Sequence, residues 1–162
     1  YWMMQHMKNN WIKIVLWIIV FQLIGMAIGV ITQSNIHSWY LGLEKSSLTP
    51  PSIVFAIVWP ILYVLLAISG YILWSHRQNS KMRPILYLFT LQMLLNWAWS
   101  PVFFNFHWIF FSFFLILNIT FLTILIMLFT KRKIRIIKFL LMPYLLWLIF
   151  ASYLNGYIFW YN

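Results

Sequence analysis

Five stretches of this chain, about residues 11–31, 53–75, 84–104, 108–130 and 134–158, are long and predominantly apolar. A helix that crosses the hydrocarbon core of a bilayer needs roughly 20 such residues. None of the five alternates apolar and polar residues with period two, so a β-barrel is not expected. Composition agrees with a lipid environment: 64% of residues are hydrophobic and 7% are charged, with a mean hydropathy of +0.88, whereas a soluble domain carries about 25% charged residues. The expected fold is an all-α membrane protein, a five-transmembrane-helix bundle forming a single domain over residues 1–162. The first apolar run is too long for the core of a cleavable signal peptide and no small-residue cleavage site follows it, so it is read as a retained span.

The placement of the 11 basic residues tests the five-span reading. With five spans, the N-terminal segment shares a side with the second and fourth connections. That side receives Lys8 and Lys13, then Arg77, Lys81 and Arg83, then Lys131, Arg132, Lys133, Arg135 and Lys138, and the opposite side receives only Lys45. Basic connections stay on the cytoplasmic face of a membrane. The expectation is a multi-pass protein with its N-terminus cytoplasmic and its C-terminus outside, which fits a bacterial plasma membrane. The net charge of +10 is thus read as a topology signal. Contact of residues 131–138 with anionic membrane lipid is compatible with it, and no nucleic-acid partner is expected.

Several chemistries are excluded by what is missing. Glu44 is the sole acidic residue and cysteine is absent. Paired-carboxylate hydrolysis, a Ser-His-Asp triad, thiolate chemistry, an acidic metal cage and proton relay through intramembrane carboxylates all lack their residues. The four histidines, His6, His37, His76 and His107, fall near span ends or in connections and none pairs at i, i+4. His37 and His107 offer imidazoles that a haem iron can take, but their positions in connections fit ordinary loop histidines better. No metal site and no obligatory cofactor are expected.

Against this apolar background the polar and helix-breaking residues stand out. Pro60, Pro101 and Pro143 fall inside spans, where each removes one backbone hydrogen bond and leaves the carbonyl four residues earlier, at Ala56, Trp97 and Phe139, without its donor. Bent helices with room between them are expected. Asn96, in the run "NWAWSP", cannot face lipid cheaply, because an unpartnered amide in hydrocarbon costs several kcal/mol; it must point into the bundle. Gln92, Asn96 and Trp99 share one face of the third span by their i, i+4, i+7 spacing. Ala56, Trp59, Tyr63, Ala67 and Gly70 do the same on the second, and Tyr144, Trp147, Ala151 and Asn155 on the fifth. Each stripe taken alone reads as helix packing through small residues and amide contacts. Three inward stripes with bent helices describe an apolar cavity holding a few directional polar groups, the general form of a small-molecule site.

The first connection, "TQSNIHSWYLGLEKSSLTPPS", is too long for a simple turn, and its Trp39, Tyr40 and Leu41 suit a lid packed on helix ends. Gly25 and Gly29 form a GxxxG in the first span, which serves either a homodimer interface or close packing within the chain. Trp74, Trp108, Trp160 and Tyr161 stand near span ends, where aromatic rings anchor at the membrane surface.

Four segments taken in order resemble the TspO/MBR family, the translocator protein or peripheral benzodiazepine receptor family, in its bacterial type. They are "WYLGLEKSSLTPP" (39–51), "VFAIVWPILYVLLAISGYILW" (54–74), "LNWAWSPVFF" (95–104) and "PYLLWLIFASYLN" (143–155). The first and fourth spans match mainly as apolar helices. The resemblance implies a five-helix bundle, often dimeric, whose cavity is closed by the first connection and takes porphyrins such as protoporphyrin IX or haem, and in several members sterols. Carried over by motif, ligand contact falls to Tyr40, Pro50, Trp59, Tyr63, Asn96, Trp99, Trp147, Phe150 and Ala151. Trp59 and Trp147 match the two tryptophans associated with light- and oxygen-dependent porphyrin degradation in the family. Two departures matter. Lys45 is followed by Ser46 where the family often has proline. The sterol pattern near the end of the fifth span has Leu154 and Tyr157 but no basic residue after them, which lowers the expectation of tight sterol binding. Three functions are therefore carried forward: a membrane binding protein (receptor, sensor or carrier) for porphyrins, a porphyrin photo-degrading enzyme that uses Trp59 and Trp147, and a membrane scaffold that binds no ligand.

Overall fold

The computed structural model describes residues 10–162, with the side chains of residues 33–38 outside that description. Among the described residues five α-helices follow one another: α1 Trp11–Ser38, α2 Ser52–Ser75, α3 Arg83–Ser100, α4 Ile109–Phe129 and α5 Ile136–Tyr161. Single turns of 3-10 helix stand at Tyr40–Gly42 and Arg132–Ile134, and a π-helical turn at Pro101–Asn105 follows α3 directly. No strand occurs among the described residues.

Trp11–Thr32 within α1, together with α2, α4 and α5, are long and apolar enough to cross a membrane. α3 is the least apolar helix of the five because it carries Arg83, Gln92 and Asn96. The two amides are buried inside the bundle, so its polarity is hidden from the outer face. In contact order the helices form a ring, α1–α2–α5–α4–α3, closed where α3 and its π turn meet α1; α2 also reaches α3 across the middle. Leu66, Ala67, Ile119, Ile126, Ile137, Tyr144 and Leu148 are essentially fully buried at the centre. The outward faces are apolar as well: Leu23, Val30, Phe114, Phe121, Phe139 and Leu146 are exposed. A surface of this kind is a liability in water and the correct finish in hydrocarbon.

Two boundaries differ from the sequence reading. α1 runs past the predicted end at residue 31 to Ser38, so the first connection covers residues 39–51 rather than the whole "TQSNIHSWYLGLEKSSLTPPS" segment. Polar residues end an apolar span but do not end a helix. Thr32, for example, folds its hydroxyl back onto the carbonyl of Ile28 at 3.0 Å, so the helix itself satisfies the side chain. The second difference concerns Pro101, which was expected to bend the third span from within. The α-helical ladder instead changes type there. Proline offers no N–H to the carbonyl of Trp97, and the chain widens until the Phe106 N–H reaches the Pro101 carbonyl at 3.1 Å. The next reversal into α4 passes through His107, whose φ of 59° lies in the left-handed region, a conformation that histidine enters more readily than most residues. Pro60 and Pro143 remain inside α2 and α5.

Two ends of the bundle can be told apart. The 39–51 connection, the α3–α4 turn and Asn162 share one end, since Trp39 stacks on His107 (4.1 Å between centroids, 12° between planes) and Asn162 hydrogen-bonds to Glu44. The other end carries Lys13, Arg77, Lys81, Arg83 and the basic turn between α4 and α5. Lys8 and His6 lie outside the described residues, as does the side chain of His37.

Candidate functional site

The inward faces of α2, α3 and α5 meet in a buried chain of hydrogen bonds. The Tyr63 hydroxyl donates to Asn96 Oδ1 at 3.3 Å. Asn96 Nδ2 donates to the Tyr144 hydroxyl at 2.7 Å, and that hydroxyl donates to Gln92 Oε1 at 2.8 Å. All four side chains are buried, Tyr144 completely. Asn96 and Gln92 reach the same phenol because they lie one helical turn apart on α3. The chain leaves one donor over: Gln92 Nε2 is buried without a hydrogen-bond partner.

Directly beside this chain stands an aromatic cluster. Trp59 packs on Tyr63 at 5.8 Å and meets Trp147 edge-to-face, at 6.3 Å and 86°. Trp147 in turn contacts Phe55 at 5.5 Å and Phe150 at 5.7 Å. Edge-to-face pairs at these distances place the positive rim of one ring over the negative face of the other. Trp147 Nε1 is buried and has no hydrogen-bond partner. A cavity of about 410 Å³ opens between α2 and α5, lined by Val58, Ile61, Leu62, Pro143, Leu146, Trp147 and Phe150. Ile61 and Leu146 are exposed, so the cavity opens towards the outer, lipid-facing side of the α2–α5 seam. Pro143 is part of its wall, where a leucine or phenylalanine would fill more of the space.

A second cluster lies one to two turns nearer the 39–51 connection. Trp99 Nε1 donates to Asn155 Oδ1 at 3.0 Å, and the Trp99 ring stacks on Phe103 at 5.1 Å and 14°. Tyr40 reaches the same cluster from the connection, edge-on to Phe103 at 6.1 Å and to Phe104 at 5.5 Å. Burial of its phenol raises the Tyr40 pKa above the ordinary 10.0, so the ring stays neutral at any physiological pH. The π turn is what aims Phe103 inward: Phe103 is buried, at 1% exposure, while Phe104 is half-buried beside it.

The connection is shaped by one internal cluster of hydrogen bonds and tied to the end of the bundle at two points. Lys45 Nζ donates to the carbonyls of Tyr40, Leu41 and Leu43 at 3.1, 3.3 and 3.0 Å and lies 4.9 Å from the centroid of the Tyr40 ring. The hydroxyls of Ser46 and Tyr153 share a hydrogen bond of 2.7 Å, and Ser46 Oγ also accepts from the Leu48 N–H at 3.1 Å. Asn162 clasps Glu44 from both sides: its Oδ1 accepts from the Glu44 N–H at 3.1 Å and its Nδ2 donates to the Glu44 carbonyl at 3.0 Å.

The residues singled out by sequence therefore divide into two groups. Trp59, Tyr63, Asn96, Trp147 and Phe150 come together around the polar chain, and Tyr40 and Trp99 come together around Phe103. Ala151 packs against the core from α5. Pro50 is half-buried just ahead of α2. Four residues with a central place here were not among them. Tyr144 was legible as a member of the α5 stripe, but its bonds to α3 were not. Phe103 depends on the π turn, and Ser46 with Tyr153 depends on the docking of a loop; neither leaves a spacing signal in the sequence. Among the described residues no group of three or more metal-ligating side chains forms.

Comparison with known proteins matches the same span of chain. The family model described as TspO/MBR family matches residues 14–161. The chain is 34% identical to the Tryptophan-rich protein TspO of Archaeoglobus fulgidus over 146 residues, covering 90% of this chain and 94% of that protein. It is 32% identical to the Tryptophan-rich protein TspO of Bacillus cereus over 119 residues, covering 74% of this chain and 77% of the other. It is 39% identical to the Translocator protein of Homo sapiens over 69 residues, 41% of each chain. With a helical bundle in which four helices are able to span a bilayer, and a family match over nearly its whole length, this multi-pass integral membrane protein belongs to the TspO/MBR family.

Proposed function

We propose that the protein is a membrane binding protein, a receptor, sensor or carrier, for porphyrins and related flat, apolar ligands. One observation carries this reading above the others: Trp147 lines the α2–α5 cavity, stacks edge-on against Trp59, and holds a buried N–H without a partner. A buried donor left unsatisfied costs about 1–3 kcal/mol, so an acceptor brought by a ligand would be stabilising there. The same holds for Gln92 Nε2 a short way off. A tetrapyrrole offers both a broad π face for the tryptophans and peripheral oxygen acceptors for the donors. The cavity of about 410 Å³ falls within the general range for ligand sites, roughly 300–1,000 Å³. Tyr40, Pro50, Trp99 and Ala151 complete the site from the side of the connection, which acts as its lid.

Porphyrin is here a ligand, and no obligatory cofactor is assigned. The basic end faces the cytoplasm of a bacterial plasma membrane, placing the lid outside. A homodimer through α1 fits the same reading. α1 buries 6% of its apolar span against 28–33% for the other spanning helices, and Gly29 meets nothing within 4 Å.

The test is a titration of the purified protein in detergent with protoporphyrin IX in the dark, followed by tryptophan fluorescence and porphyrin absorbance. Saturable quenching is expected, and Trp147→Phe, which removes the N–H but keeps a ring, should weaken it by roughly 2–12-fold, the net worth of one hydrogen bond. Linear quenching indifferent to Trp147→Phe would mean simple partitioning and would return the molecule to the scaffold reading. The contact between Trp59 and Trp147 also favours a second activity, light- and oxygen-dependent degradation of the bound porphyrin. Illuminating the same sample in air and under argon distinguishes it: loss of porphyrin absorbance that needs oxygen and disappears in Trp147→Phe supports degradation, and loss at the rate of free porphyrin opposes it.

A further inference from the structure

We propose that the groove between the first turns of α1 and the end of α2 is a binding site for the phosphate headgroup of an acidic phospholipid. This groove, of about 340 Å³, is lined by Lys13, Leu16, Trp17, Trp74 and Arg77 among others and lies at the opposite end of the bundle from the 39–51 connection.

Its cations are held in place without any carboxylate. The Arg77 guanidinium lies over the Trp74 ring, 4.4 Å from its centroid, and Nη1 donates to the Trp74 carbonyl at 3.0 Å. That anchors one edge of the group and leaves the rest of its five donors to other acceptors. Arg83 adds a further cation close by, since its Nε donates to the Arg77 carbonyl at 2.9 Å. Lys13 approaches from α1 across the groove. Glu44, the sole acidic residue of the chain, lies at the far end, where Asn162 holds its backbone. No side chain of this protein can neutralise the cluster, so its counter-ion comes from the surroundings. A planar guanidinium fork beside a lysine ammonium matches a phosphate better than a single-point anion.

The apolar part of the groove selects a lipid over a soluble phosphate. Leu16 belongs to an exposed stripe with Ile12 and Ile19 on α1, at 57%, 55% and 47% exposure for Ile12, Leu16 and Ile19. That stripe leads from the cations along the helix towards the bilayer core. Trp17 and Trp74 sit where indole rings prefer the headgroup level. One molecule with an anionic phosphate and acyl chains satisfies both halves; a free phosphate satisfies one.

The experiment uses the full chain in detergent micelles and native mass spectrometry of lipid adducts, with phosphatidylglycerol and phosphatidylcholine as probes. The expected result is retention of phosphatidylglycerol over phosphatidylcholine. The pair Lys13→Gln with Arg77→Gln should weaken phosphatidylglycerol binding by roughly 25-fold, taking about fivefold for each charge at a membrane surface. The pair Lys133→Gln with Lys138→Gln, which removes the same charge from the α4–α5 region, should change it less than about twofold. Thermal midpoints show whether each variant folds. Should the first pair not fold, Arg77→Lys keeps the charge and loses the fork, and an intermediate loss supports the site. Equal weakening by both pairs would assign the lipid to diffuse charge and overturn the proposal. So would equal retention of the two lipids, or displacement of phosphatidylglycerol by glycerophosphate beyond what chloride of the same ionic strength achieves, which would make the ligand a soluble phosphate.

Discussion

Asn96 shows how much one polar residue settles in an apolar helix. Its amide bridges Tyr63 on α2 and Tyr144 on α5, so a single side chain fixes the rotation of three helices about their axes. Interhelical hydrogen bonds in membranes are individually modest, averaging about 0.6 kcal/mol in double-mutant cycles. Stranding their partners costs more, because a buried hydroxyl without a mate loses the full desolvation penalty, about 1–3 kcal/mol. Asn96→Ala is therefore expected to destabilise the protein by about 1–3 kcal/mol, and Tyr144→Phe by about as much. Because they act on one chain, the double variant should fall short of the sum by roughly 0.5–1.5 kcal/mol. Unfolding in mixed micelles with increasing sodium dodecyl sulfate measures all three. Strict additivity would show that Asn96 and Tyr144 do not act through their mutual bond. The inward aim of Asn96 was legible in the sequence from the cost of exposing an amide to lipid. The identity of its partners was not, since spacing along one helix says which residues share a face and nothing about which face of which helix lies opposite.

At the scale of elements, the GxxxG of α1 separates into two glycines with different surroundings. A Cβ on Gly25 would sit 2.6 Å from Tyr63 Cε2, whereas a Cβ on Gly29 would meet nothing within 4 Å. The Tyr63 ring cannot easily yield, being held by its bond to Asn96 and its packing on Trp59. Gly25→Ala should thus part α1 from α2, with the usual overpacking cost of about 1–3 kcal/mol. Gly29→Ala should be neutral or stabilise the monomer by up to about 1 kcal/mol through helix propensity. Thermal midpoints in detergent separate the two, and equal effects would sink this account of the α1–α2 contact. The same scale explains what the sequence conveyed of the elements. Five helices were legible from run length, because the thickness of a bilayer sets that length physically. Their boundaries were less so: polarity marks where lipid ends, and α1 continues to Ser38 all the same. Pro101 announced a disturbance, but whether a proline yields a kink or a π turn depends on which later N–H reaches the carbonyl, here that of Phe106.

For the molecule as a whole, the helix ring α1–α2–α5–α4–α3 brings the first connection and the last helix to the same end, and their side chains interlock there. Ser46 and Tyr153 share one hydrogen bond, and Asn162 holds Glu44 by two. Lys45 holds the connection in a compact form by drawing three of its own carbonyls around one ammonium. The connection is therefore a preshaped unit, and on the lid reading its opening would break the bonds to α5 and leave the lysine nest intact. On the proposed function this docking governs how quickly a ligand exchanges. Removing the latch with Ser46→Ala and Tyr153→Phe removes both partners of the bond to α5, for a net loss of about 0.5–1.5 kcal/mol; the Leu48 N–H also loses Ser46 Oγ, but Leu48 is exposed and water can replace that acceptor. If closure limits exchange, porphyrin dissociation measured by stopped-flow fluorescence should speed up by roughly 2–12-fold. Because the latch touches neither Trp59 nor Trp147, the ligand contacts stay intact, and association should accelerate along with dissociation, leaving affinity within about threefold of the parent. Lys45→Met is the sharper change: it dissolves the nest, gives the connection many shapes, and should slow the return to the closed form, weakening affinity as well as speeding release. Faster release in both variants, with affinity lost only in the second, distinguishes a lid from a loop that merely covers the helix ends; unchanged rates in both would show that ligand reaches the site by another route, the open α2–α5 seam.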